Sequence, residues 1–456
     1  MASEQQLASF VHNTRYDDLD EETIATVKRQ MVAFYGALIA GSATGAAVAA
    51  GFAVDMGGKP EATVFLNGGE IPAQQAAFAN ATMGRALDID DHISPGAHIG
   101  AAAIPAAFAS AELIGGCTGK EFITAVATGV EVSLRLLLEE DDYDGFDPTG
   151  VTSVFASAVA ASKLLKLDEA QIWNALGLAY DRSGASYQHY IDGVLAGPLM
   201  QGLIARDGVE CARLTKYGIT GISNFLEGVY SYFHLYGRDK EDISYVTKNL
   251  GKQWNLKNLN FKKYPSCGLT QGSTELTIMM MQEHRFTADD IARVEVPVPP
   301  FTFKLVGHPF KIGKNPRVDA QFNVAYCVAN ALMRAPVTLS HFEEEQVRDP
   351  KIMSFIKDKI TVISDPSTER NHYSTDLRVW TKDDKEYHGK MDIPPGTPQN
   401  PMTDEDHRAR FYDCVEFSGK RWLEGREENI MDFIDTLEEK DDVRDMLPLF
   451  LRGNRE

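Results

Sequence analysis

Residues 74–107 read QQAAFANATMGRALDIDDHISPGAHIGAAAIPAA, so two segments of small apolar residues flank a short cluster of charges and histidines. Such segments are typical of closely packed, buried helices and not of a solvated surface. The stretch therefore predicts a mostly helical domain built from alanine-rich helices. It also predicts that the charges between the two segments are largely buried.

Three carboxylates and two histidines form this cluster: Asp88, Asp90, Asp91, His92 and His98. A helix over residues 73–91 would bring Asp88, Asp91 and His92 to one face, because neighbours on a helix face are three or four residues apart. Pro95–Gly96 would end the helix and turn His98 back toward that face. Clustered carboxylates raise one another's pKa, and a carboxylate fixes the tautomer of an imidazole, so the cluster suits general acid–base chemistry near neutral pH. A solvated helix end with a capping histidine is the alternative.

The overall composition limits the class of protein. A chain of 456 residues with 44% hydrophobic content is long enough for two domains. The 45 basic and 65 acidic residues give a net charge of −20, which argues against binding to nucleic acid or to an anionic membrane surface. The five cysteines form neither a C-x-x-C pair nor a metal-binding spacing, so neither a disulfide framework nor a zinc site is expected.

The N-terminal segment gives no indication of export. Residues 1–6 lack both a basic segment and an apolar one, so we expect no secretory signal. We therefore expect a cytoplasmic location. Residues 31–54 carry no charge over a length that could span a membrane. Because GSATG at residues 41–45 interrupts this run with turn-forming residues, two buried helices of a soluble domain are expected instead.

Helical periodicity dominates the first 240 residues, and the pattern changes near residue 265. The predicted helices of the first part cover residues 20–39, 46–56, 73–91, 101–114, 120–139, 151–164, 169–179 and 195–213, with a short strand at 64–66. Later, alternating β-branched runs predict strands at residues 292–298, 360–363 and 376–381, separated by helices at 270–282 and 320–332. The expected fold is mostly α, with a helical domain of residues 1–265 and 396–456 and a smaller α+β domain of residues 266–395.

Seven segments carry a family resemblance: RALDIDD (85–91), residues 98–107, AELIGG (111–116), GVEVSLR (129–135), FKKYPSC (261–267), AQFNVAY (320–326) and PGTPQNPMT (395–403). In order and spacing they resemble the MmgE/PrpD family, which includes 2-methylcitrate dehydratase, cis-aconitate decarboxylase and iminodisuccinate epimerase. The resemblance covers nearly the whole chain. It implies a helical domain of the MmgE/PrpD type interrupted by an α+β lid, a homodimer, and a site for small carboxylates in the cleft between the domains, with no metal and no cofactor.

The family resemblance also implies a reaction class, the loss or gain of a proton beside a carboxylate. Loss of water, loss of carbon dioxide or return of the proton to the other face then follows. We therefore expect a lyase, either a dehydratase or a decarboxylase, acting on a small carboxylic acid. The alternatives are an epimerase or isomerase of a small amino- or hydroxy-dicarboxylate, and a catalytically silent relative that binds a ligand. A metal-dependent terpene cyclase is disfavoured, because DIDD at residues 88–91 is not a D-D-x-x-D motif.

Positions carried over from the family give the candidate site residues. The expected catalytic residues are His98, Asp88 and Tyr326, with His98 as the leading base or acid. The expected substrate-binding residues are Asp91, His92, Asp147, Thr149, Lys262 and Cys267. The ammonium group of Lys262 is expected to hold a substrate carboxylate as a point charge, and Cys267 stands where some relatives have histidine.

Two places depart from the family pattern. Asp147 stands where the family usually has histidine, and Gly197, Pro198 and Met200 stand where it usually has lysine, a basic residue and histidine. The lost cations would leave a tricarboxylate poorly neutralised, because an unpaired carboxylate in a partly dry site costs several kcal/mol. We therefore expect a smaller, less anionic or more apolar acid, or one with an amine that pairs with Asp147. His189 is either a replacement for a lost histidine or a residue of a helix surface.

Overall fold

The computed structural model describes residues 2–240 and 242–452, which divide into two compact units. The first unit comprises Met1–Leu259 and Cys414–Glu456, and the second comprises Asn260–Asp413. The first unit is mostly helical, whereas the second combines helices with a four-stranded sheet, so the predicted fold class is confirmed. The sequence pattern places the second domain at residues 266–395, inside the bounds of the second unit.

The first unit begins with a series of helices and one short hairpin. The helices are α1 (Ser3–Asn13), α2 (Glu21–Gly41), α3 (Ala47–Met56), α4 (Ala73–Arg85), α5 (Gly100–Leu113), α6 (Gly119–Arg135), α7 (Pro148–Leu164), α8 (Glu169–Asp181), α9 (Gln188–Asp192), α10 (Ala196–Lys216) and α11 (Tyr232–Leu235). The antiparallel strands β1 (Ala62–Thr63) and β2 (Glu70–Ile71) form the hairpin between α3 and α4.

Close approach of helix backbones forms the centre of this unit. Both α10 and α5 pack against α4 and α7. A Cβ at Gly202 of α10 would lie 2.6 Å from the Phe78 carbonyl oxygen of α4. A Cβ at Gly208 of α10 would lie 2.3 Å from the Ser157 Cβ of α7. Small residues at these contacts let the helices pack at the density of a protein interior, which explains the alanine-rich segments.

The predicted helix over residues 73–91 is too long, because α4 ends at Arg85 and a loop follows. Asp88 in this loop has a φ of 57°, a left-handed conformation that a right-handed helix excludes. Asp88, Asp91 and His92 therefore do not share a helix face. The predicted strand at 64–66 is also displaced, since β1 ends at Thr63 and Leu66, with a φ of 65°, lies in a turn.

The other predicted helices of the first part agree with α2, α3, α5, α6, α7, α8 and α10 to within four residues at each end. Residues 31–54 form the end of α2 and most of α3 with a turn between them, as predicted. In the part of the chain that the structure describes, we find no helix with both the length and the apolar character needed to cross a bilayer.

The second unit contains strands β3 (Ile291–Val298), β4 (Ile360–Ser364), β5 (Thr375–Thr381) and β6 (Glu386–Met391) in the order β4-β3-β5-β6. β4 runs parallel to β3, and the other neighbours are antiparallel. The helices are α12 (Gln271–His284), α13 (Pro300–Thr302), α14 (Pro316–Gln321), α15 (Val324–Arg334), α16 (Glu344–Val347) and α17 (Pro350–Lys359). The helix α18 (Asp404–Ser418) crosses the boundary between the units, and α19 (Glu427–Asp435) belongs to the first.

Most predicted elements of the second unit are present. The three predicted strands correspond to β3, β4 and β5. The sequence EYHGKM of β6 gave no strand prediction, because Gly389 interrupts the alternation of Tyr387 and Met391 with polar residues. The predicted helix over residues 320–332 is two helices. Asn323 separates them, because its side chain accepts the Tyr326 N–H at 3.0 Å and caps α15.

Candidate active site

His98 lies between two carboxylates in the loop that joins α4 to α5. Its Nε2 atom is 3.3 Å from Asp88 Oδ1, and its Nδ1 atom is 3.2 Å from Asp90 Oδ2. His98 and Asp90 are buried, whereas the Asp88 side chain keeps 15% of its surface exposed. The turn at Pro95–Gly96 thus brings His98 back to the acidic residues, as predicted. We call Asp88, Asp90 and His98 the acid–histidine trio.

The trio is arranged for proton transfer. A neutral imidazole donates a hydrogen bond from one nitrogen only, an imidazolium donates from both, and an ionised carboxylate only accepts. Both contacts of His98 are therefore attractive when the ring carries its second proton. The Nδ1 contact lacks the alignment of a full hydrogen bond, which is common for catalytic groups before substrate binds. The trio can take a proton from a carbon acid and return it.

Arg85, the last residue of α4, neutralises part of the negative charge of the trio. Its Nη1 atom is 2.8 Å from Asp88 Oδ1 and 3.5 Å from Asp90 Oδ1, and its side chain is buried. Burial alone would lower the pKa of Arg85, but the neighbouring Tyr190 and Asp90 raise it well above its ordinary value. This permanent positive charge favours the ionised, proton-accepting form of both carboxylates.

The backbone of His98 is held at both of its polar atoms. Thr149 Oγ1, in the first turn of α7, accepts the His98 N–H at 3.0 Å. Ser153 Oγ of α7 and Gln201 Nε2 of α10 donate to the His98 carbonyl at 3.1 Å and 3.2 Å. All of these side chains are buried, so the imidazole stands on a rigid support. Thr149 positions His98, and a contact of Thr149 with substrate stays a prediction.

His92 lies beside His98 on the same loop. The two rings are stacked, with centroids 6.1 Å apart and an angle of 29° between their planes. Between them, Ile93 and Ala97 exchange two backbone hydrogen bonds of 3.0 Å, which closes the turn. The loop therefore places the imidazole of His92 next to that of His98, at the edge of the acid–histidine trio.

Asp91 binds the N-terminal end of α5. Its Oδ2 atom accepts hydrogen bonds from Gln30 Nε2 at 3.0 Å and from the Gly100 N–H at 3.2 Å. A Cβ at Gly100 would lie 2.2 Å from Asp91 Oδ1, so glycine is required for this approach. Burial, reinforced by the charge of Asp90, raises the pKa of Asp91 to about 6. Asp91 therefore changes its protonation state close to neutral pH.

Asp147 is buried and uses its two oxygens differently. Oδ1 accepts the Gly150 N–H at 2.9 Å and so caps α7, whereas Oδ2 is 3.4 Å from His189 Nε2. The His189 side chain is only 9% exposed, so its ring belongs to the interior and not to a helix surface. A Cβ at Gly197 would lie 3.0 Å from His189 Cδ2. The two departures from the family pattern at Asp147 and Gly197 thus both border the ring of His189.

Tyr190 links this histidine to the trio. Its hydroxyl accepts a hydrogen bond from Arg85 Nη2 at 2.9 Å, and its ring contacts the His189 ring with centroids 4.2 Å apart. A continuous chain of contacts therefore runs from His98 through Asp88, Arg85 and Tyr190 to His189. The first unit brings together all six of its predicted site residues along this chain and its flanks: Asp88, Asp91, His92, His98, Asp147 and Thr149.

The sequence prediction does not include Arg85, Asp90 or Tyr190 among the site residues. Asp90 belongs to the same charged cluster as Asp88 and Asp91, and nothing in the local sequence distinguishes it from them. Arg85 carries a usable signal, because it is the one charged residue of an otherwise uncharged, buried helix. Tyr190 carries no local signal, since its contact with Arg85 joins residues 105 positions apart.

The remaining predicted residues, Lys262, Cys267 and Tyr326, belong to the second unit. Lys262 is buried, and the Cys267 thiol is free of any disulfide. The Tyr326 hydroxyl donates to the His341 carbonyl at 2.6 Å, and burial raises the pKa of this phenol. A proton transfer by Tyr326 would require this hydrogen bond to break. The roles of these three residues stay predictions.

The trio also has the composition of a metal site. One ligand atom from each of Asp88, Asp90 and His98 lies within 4.8 Å of the others, and carboxylate and imidazole groups suit a divalent ion. The Arg85 guanidinium already places a positive charge 2.8 Å from Asp88 Oδ1. A metal ion on this oxygen would therefore have to displace Arg85 or bear its repulsion.

Comparison with known proteins covers nearly the whole chain. A family profile described as MmgE/PrpD N-terminal domain matches residues 5–243, and one described as MmgE/PrpD C-terminal domain matches residues 264–436. A human protein named cis-aconitate decarboxylase is 23% identical over 422 residues, covering 89% of this chain and 86% of the relative. Its mouse namesake is 24% identical over 361 residues, covering 75% and 71%. A cis-aconitate decarboxylase-like protein of Aspergillus oryzae is 25% identical over 362 residues, covering 74% of each.

Proposed function

Because the chain belongs to the MmgE/PrpD family, we propose that it is a lyase that moves a proton at the carbon beside a carboxylate of a small organic acid. The observation that carries this proposal is the position of His98 between Asp88 and Asp90, with Arg85 as their buried counter-ion. The relatives named cis-aconitate decarboxylase support the same reaction class.

In this proposal the trio supplies the base and the acid. For a dehydration, His98 takes the carbon-bound proton, the C–H electron pair becomes the new C=C bond, and the hydroxyl group leaves as water after protonation. For a decarboxylation, the C–C electron pair stays on carbon as carbon dioxide leaves, and His98 delivers the proton to that carbon. Asp88 and Asp90 stabilise the imidazolium that forms in the dehydration and that supplies the proton in the decarboxylation. Neither reaction requires a metal or a cofactor.

The charges of the site support a substrate less anionic than a tricarboxylate. Four carboxylates, Asp88, Asp90, Asp91 and Asp147, accompany the single guanidinium of Arg85 along the chain of contacts. The three imidazoles of His92, His98 and His189 balance this charge only when they are protonated. A substrate with fewer carboxylates, or with an amine that offsets one of them, enters such a site at lower electrostatic cost.

A second candidate function is the epimerisation of a small amino-dicarboxylate. The observations that favour it are the excess of carboxylates along the chain of contacts, which lowers the cost of admitting a substrate amine, and the position of His189 at 3.4 Å from Asp147 as a second acid. The same base would remove the proton, and a group on the opposite face would return it. His189 beside Asp147 is the group that we assign to this second role.

The proposal is tested with a panel of acids and a matched pair of variants. The panel contains cis-aconitate, 2-methylcitrate, citrate, malate and aspartate-type amino acids, and proton NMR identifies loss of water, loss of carbon dioxide or epimerisation. Asp88→Asn removes the charge but keeps a residue that tolerates the left-handed backbone, and Asp384→Asn is the control, because Asp384 is exposed and has a φ of 61°.

We expect one member of the panel to be converted, with Asp88→Asn lowering turnover by about 100-fold and Asp384→Asn leaving it unchanged. Equal turnover by wild type and Asp88→Asn would remove the trio from the mechanism. Binding of a panel acid without any conversion would instead support a catalytically silent relative.

The proposal also includes a homodimer, as the family resemblance implies. Three large apolar side chains on α3, those of Val48, Phe52 and Met56, are 72%, 56% and 63% exposed, which gives the first unit an apolar face. Sedimentation velocity is expected to give the mass of a dimer for the wild type and of a monomer for Phe52→Lys. A wild-type monomer would contradict this part of the proposal.

A further inference from the structure

A second concave site lies at the far end of α7. It is a cavity of about 650 Å³, a volume that accommodates a small ligand. Lys163 and Leu164 in the last turn of α7 line this cavity, whereas Thr149 in the first turn of the same helix holds His98. The two turns are about 21 Å apart along the helix axis. The cavity is therefore separate from the acid–histidine trio.

The floor of the cavity is apolar. Leu164, Leu167 and Ile172 line it and have 3%, 2% and 1% of their surface exposed. These side chains come from the end of α7, the loop that follows it and the first turns of α8. Because they already belong to the core, the floor is fixed before any ligand binds. Ile114 also lines the cavity and is 36% exposed, so a molecule with an apolar part would gain free energy by covering this side chain.

Basic side chains surround this floor. Arg15, Lys120 and Lys163 line the cavity, and in the described part of the chain none of them lies within ion-pair distance of a carboxylate. Lys163 Nζ and Arg15 Nη1 both donate to the Thr14 carbonyl, at 2.6 Å and 3.1 Å, and Lys120 Nζ lies 5.1 Å from the centre of the Tyr16 ring. Two cations thus share one neutral acceptor.

Carboxylates balance the positive charge of this arrangement only in part. Burial, reinforced by the charge of Arg15, lowers the pKa of Lys163 to about 8, although Asp18 acts in the opposite direction. Of the two acidic residues that line the cavity, Glu121 pairs with Lys166 at 3.4 Å and Asp17 is exposed to solvent. In a chain with 65 acidic and 45 basic residues, carboxylates are the more abundant partners. An anion bound between Lys163 and Arg15 would supply the missing charge.

We propose that this cavity binds an organic anion that carries an apolar part, with its anionic group on Lys163 and Arg15 and its apolar part on Ile114 beside the apolar floor. A medium-chain carboxylate has this chemistry. The proposal does not depend on the lyase activity, because binding at the far end of α7 can be measured whether or not the trio turns over a substrate.

The test is calorimetric titration of the whole protein with sodium octanoate, with acetate and 1-octanol as probes of the anionic group and the apolar part alone. Arg15→Gln and Lys163→Met remove the two cations in turn. Lys216→Met is the matched control, because Lys216 is an exposed lysine in the last turn of α10. Arg15 is also exposed, so Arg15→Gln tests the proposal even if Lys163→Met disturbs folding.

We expect octanoate to bind, with acetate and 1-octanol each at least about tenfold weaker. Arg15→Gln and Lys163→Met are each expected to weaken octanoate binding by about tenfold, and Lys216→Met to leave it unchanged. The proposal is overturned if octanoate does not bind, if 1-octanol binds as well as octanoate, or if Arg15→Gln binds octanoate as tightly as the wild type.

Discussion

The two ends of α7 differ in how far the protein balances the charges around them. At its first turn, Thr149 holds His98 in a buried cluster where the protein supplies both signs of charge, with Arg85 against Asp88 and Asp90. At its last turn, Lys163 lines an open cavity where the protein supplies positive charge. A cluster that balances its own charges can hold and move a proton. A cavity that leaves its charge unbalanced is suited to binding an anion.

The largest expected difference between the two ends concerns stability. Arg85→Met should lower the free energy of unfolding by about 3–5 kcal/mol, because it leaves buried carboxylates without their counter-ion. Lys163→Met removes a cation that pairs with no carboxylate but loses the hydrogen bond to the Thr14 carbonyl, so it should change the free energy of unfolding by about 1 kcal/mol or less. Urea unfolding at pH 7.5 measures both. Equal losses at the two ends would contradict the contrast.

The pH dependence of stability sharpens the description of the buried end. The pKa of Asp91 is raised from 3.8 to about 6 in the folded state, so protonated Asp91 favours folding at pH 4 and this contribution is lost as the pH rises through 6. Asp91→Asn should therefore be more stable than the wild type at pH 7.5, by up to about 3 kcal/mol, and equally stable at pH 3.5. Urea unfolding at both pH values tests this prediction. An Asp91→Asn variant that is less stable than the wild type at pH 7.5 would contradict it.

The close approach of Asp91 to α5 predicts a smaller effect. Gly100→Ala places a Cβ 2.2 Å from Asp91 Oδ1 and should lower the free energy of unfolding by about 1–3 kcal/mol. Gly51→Ala is the matched control, because Gly51 lies in α3 with nothing within 4 Å of its added Cβ. That control should raise the free energy of unfolding by about 0.5–1 kcal/mol. Thermal and urea unfolding check both variants.

The smallest expected effect concerns the position of the His189 ring and its influence on turnover. Gly197→Ala would place a Cβ 3.0 Å from His189 Cδ2, so the ring must shift by a few tenths of an ångström. We expect kcat/KM to fall by about threefold, since small displacements of catalytic groups lower rates. Gly51→Ala should leave kcat/KM unchanged. A variant with unchanged kinetics would indicate that His189 has no part in the reaction.

The sequence predicts the helices of the first unit well, because their small apolar residues recur at helical spacing. It also predicts that the Pro95–Gly96 turn returns His98 to the acidic residues, as the structure has it. The prediction that α4 continues beyond Arg85 is wrong, because Asp88 takes a left-handed conformation in which it contacts His98 and Arg85. Such contacts are tertiary, and local propensity does not contain them.

The parts of the site that the sequence does not predict depend on long-range contacts. Tyr190 contacts Arg85 across 105 residues of sequence, and the ring of His189 lies close to the position that a side chain at residue 197 would take. The cavity at the far end of α7 combines Arg15, which follows α1, with Lys163 of α7, so no single stretch of sequence contains it. The strand β6 alternates in burial, but Gly389 between Tyr387 and Met391 leaves its apolar pattern too weak to predict a strand.

In the proposed mechanism, His98 transfers a proton to and from the carbon beside a carboxylate. The most direct test is exchange of carbon-bound protons with deuterium oxide, followed by NMR, for each acid of the panel with wild type, His98→Gln and the exposed control His388→Gln. We predict exchange with the wild type and the control, and a rate at least about 100-fold lower with His98→Gln. Exchange by His98→Gln at the wild-type rate would contradict this mechanism.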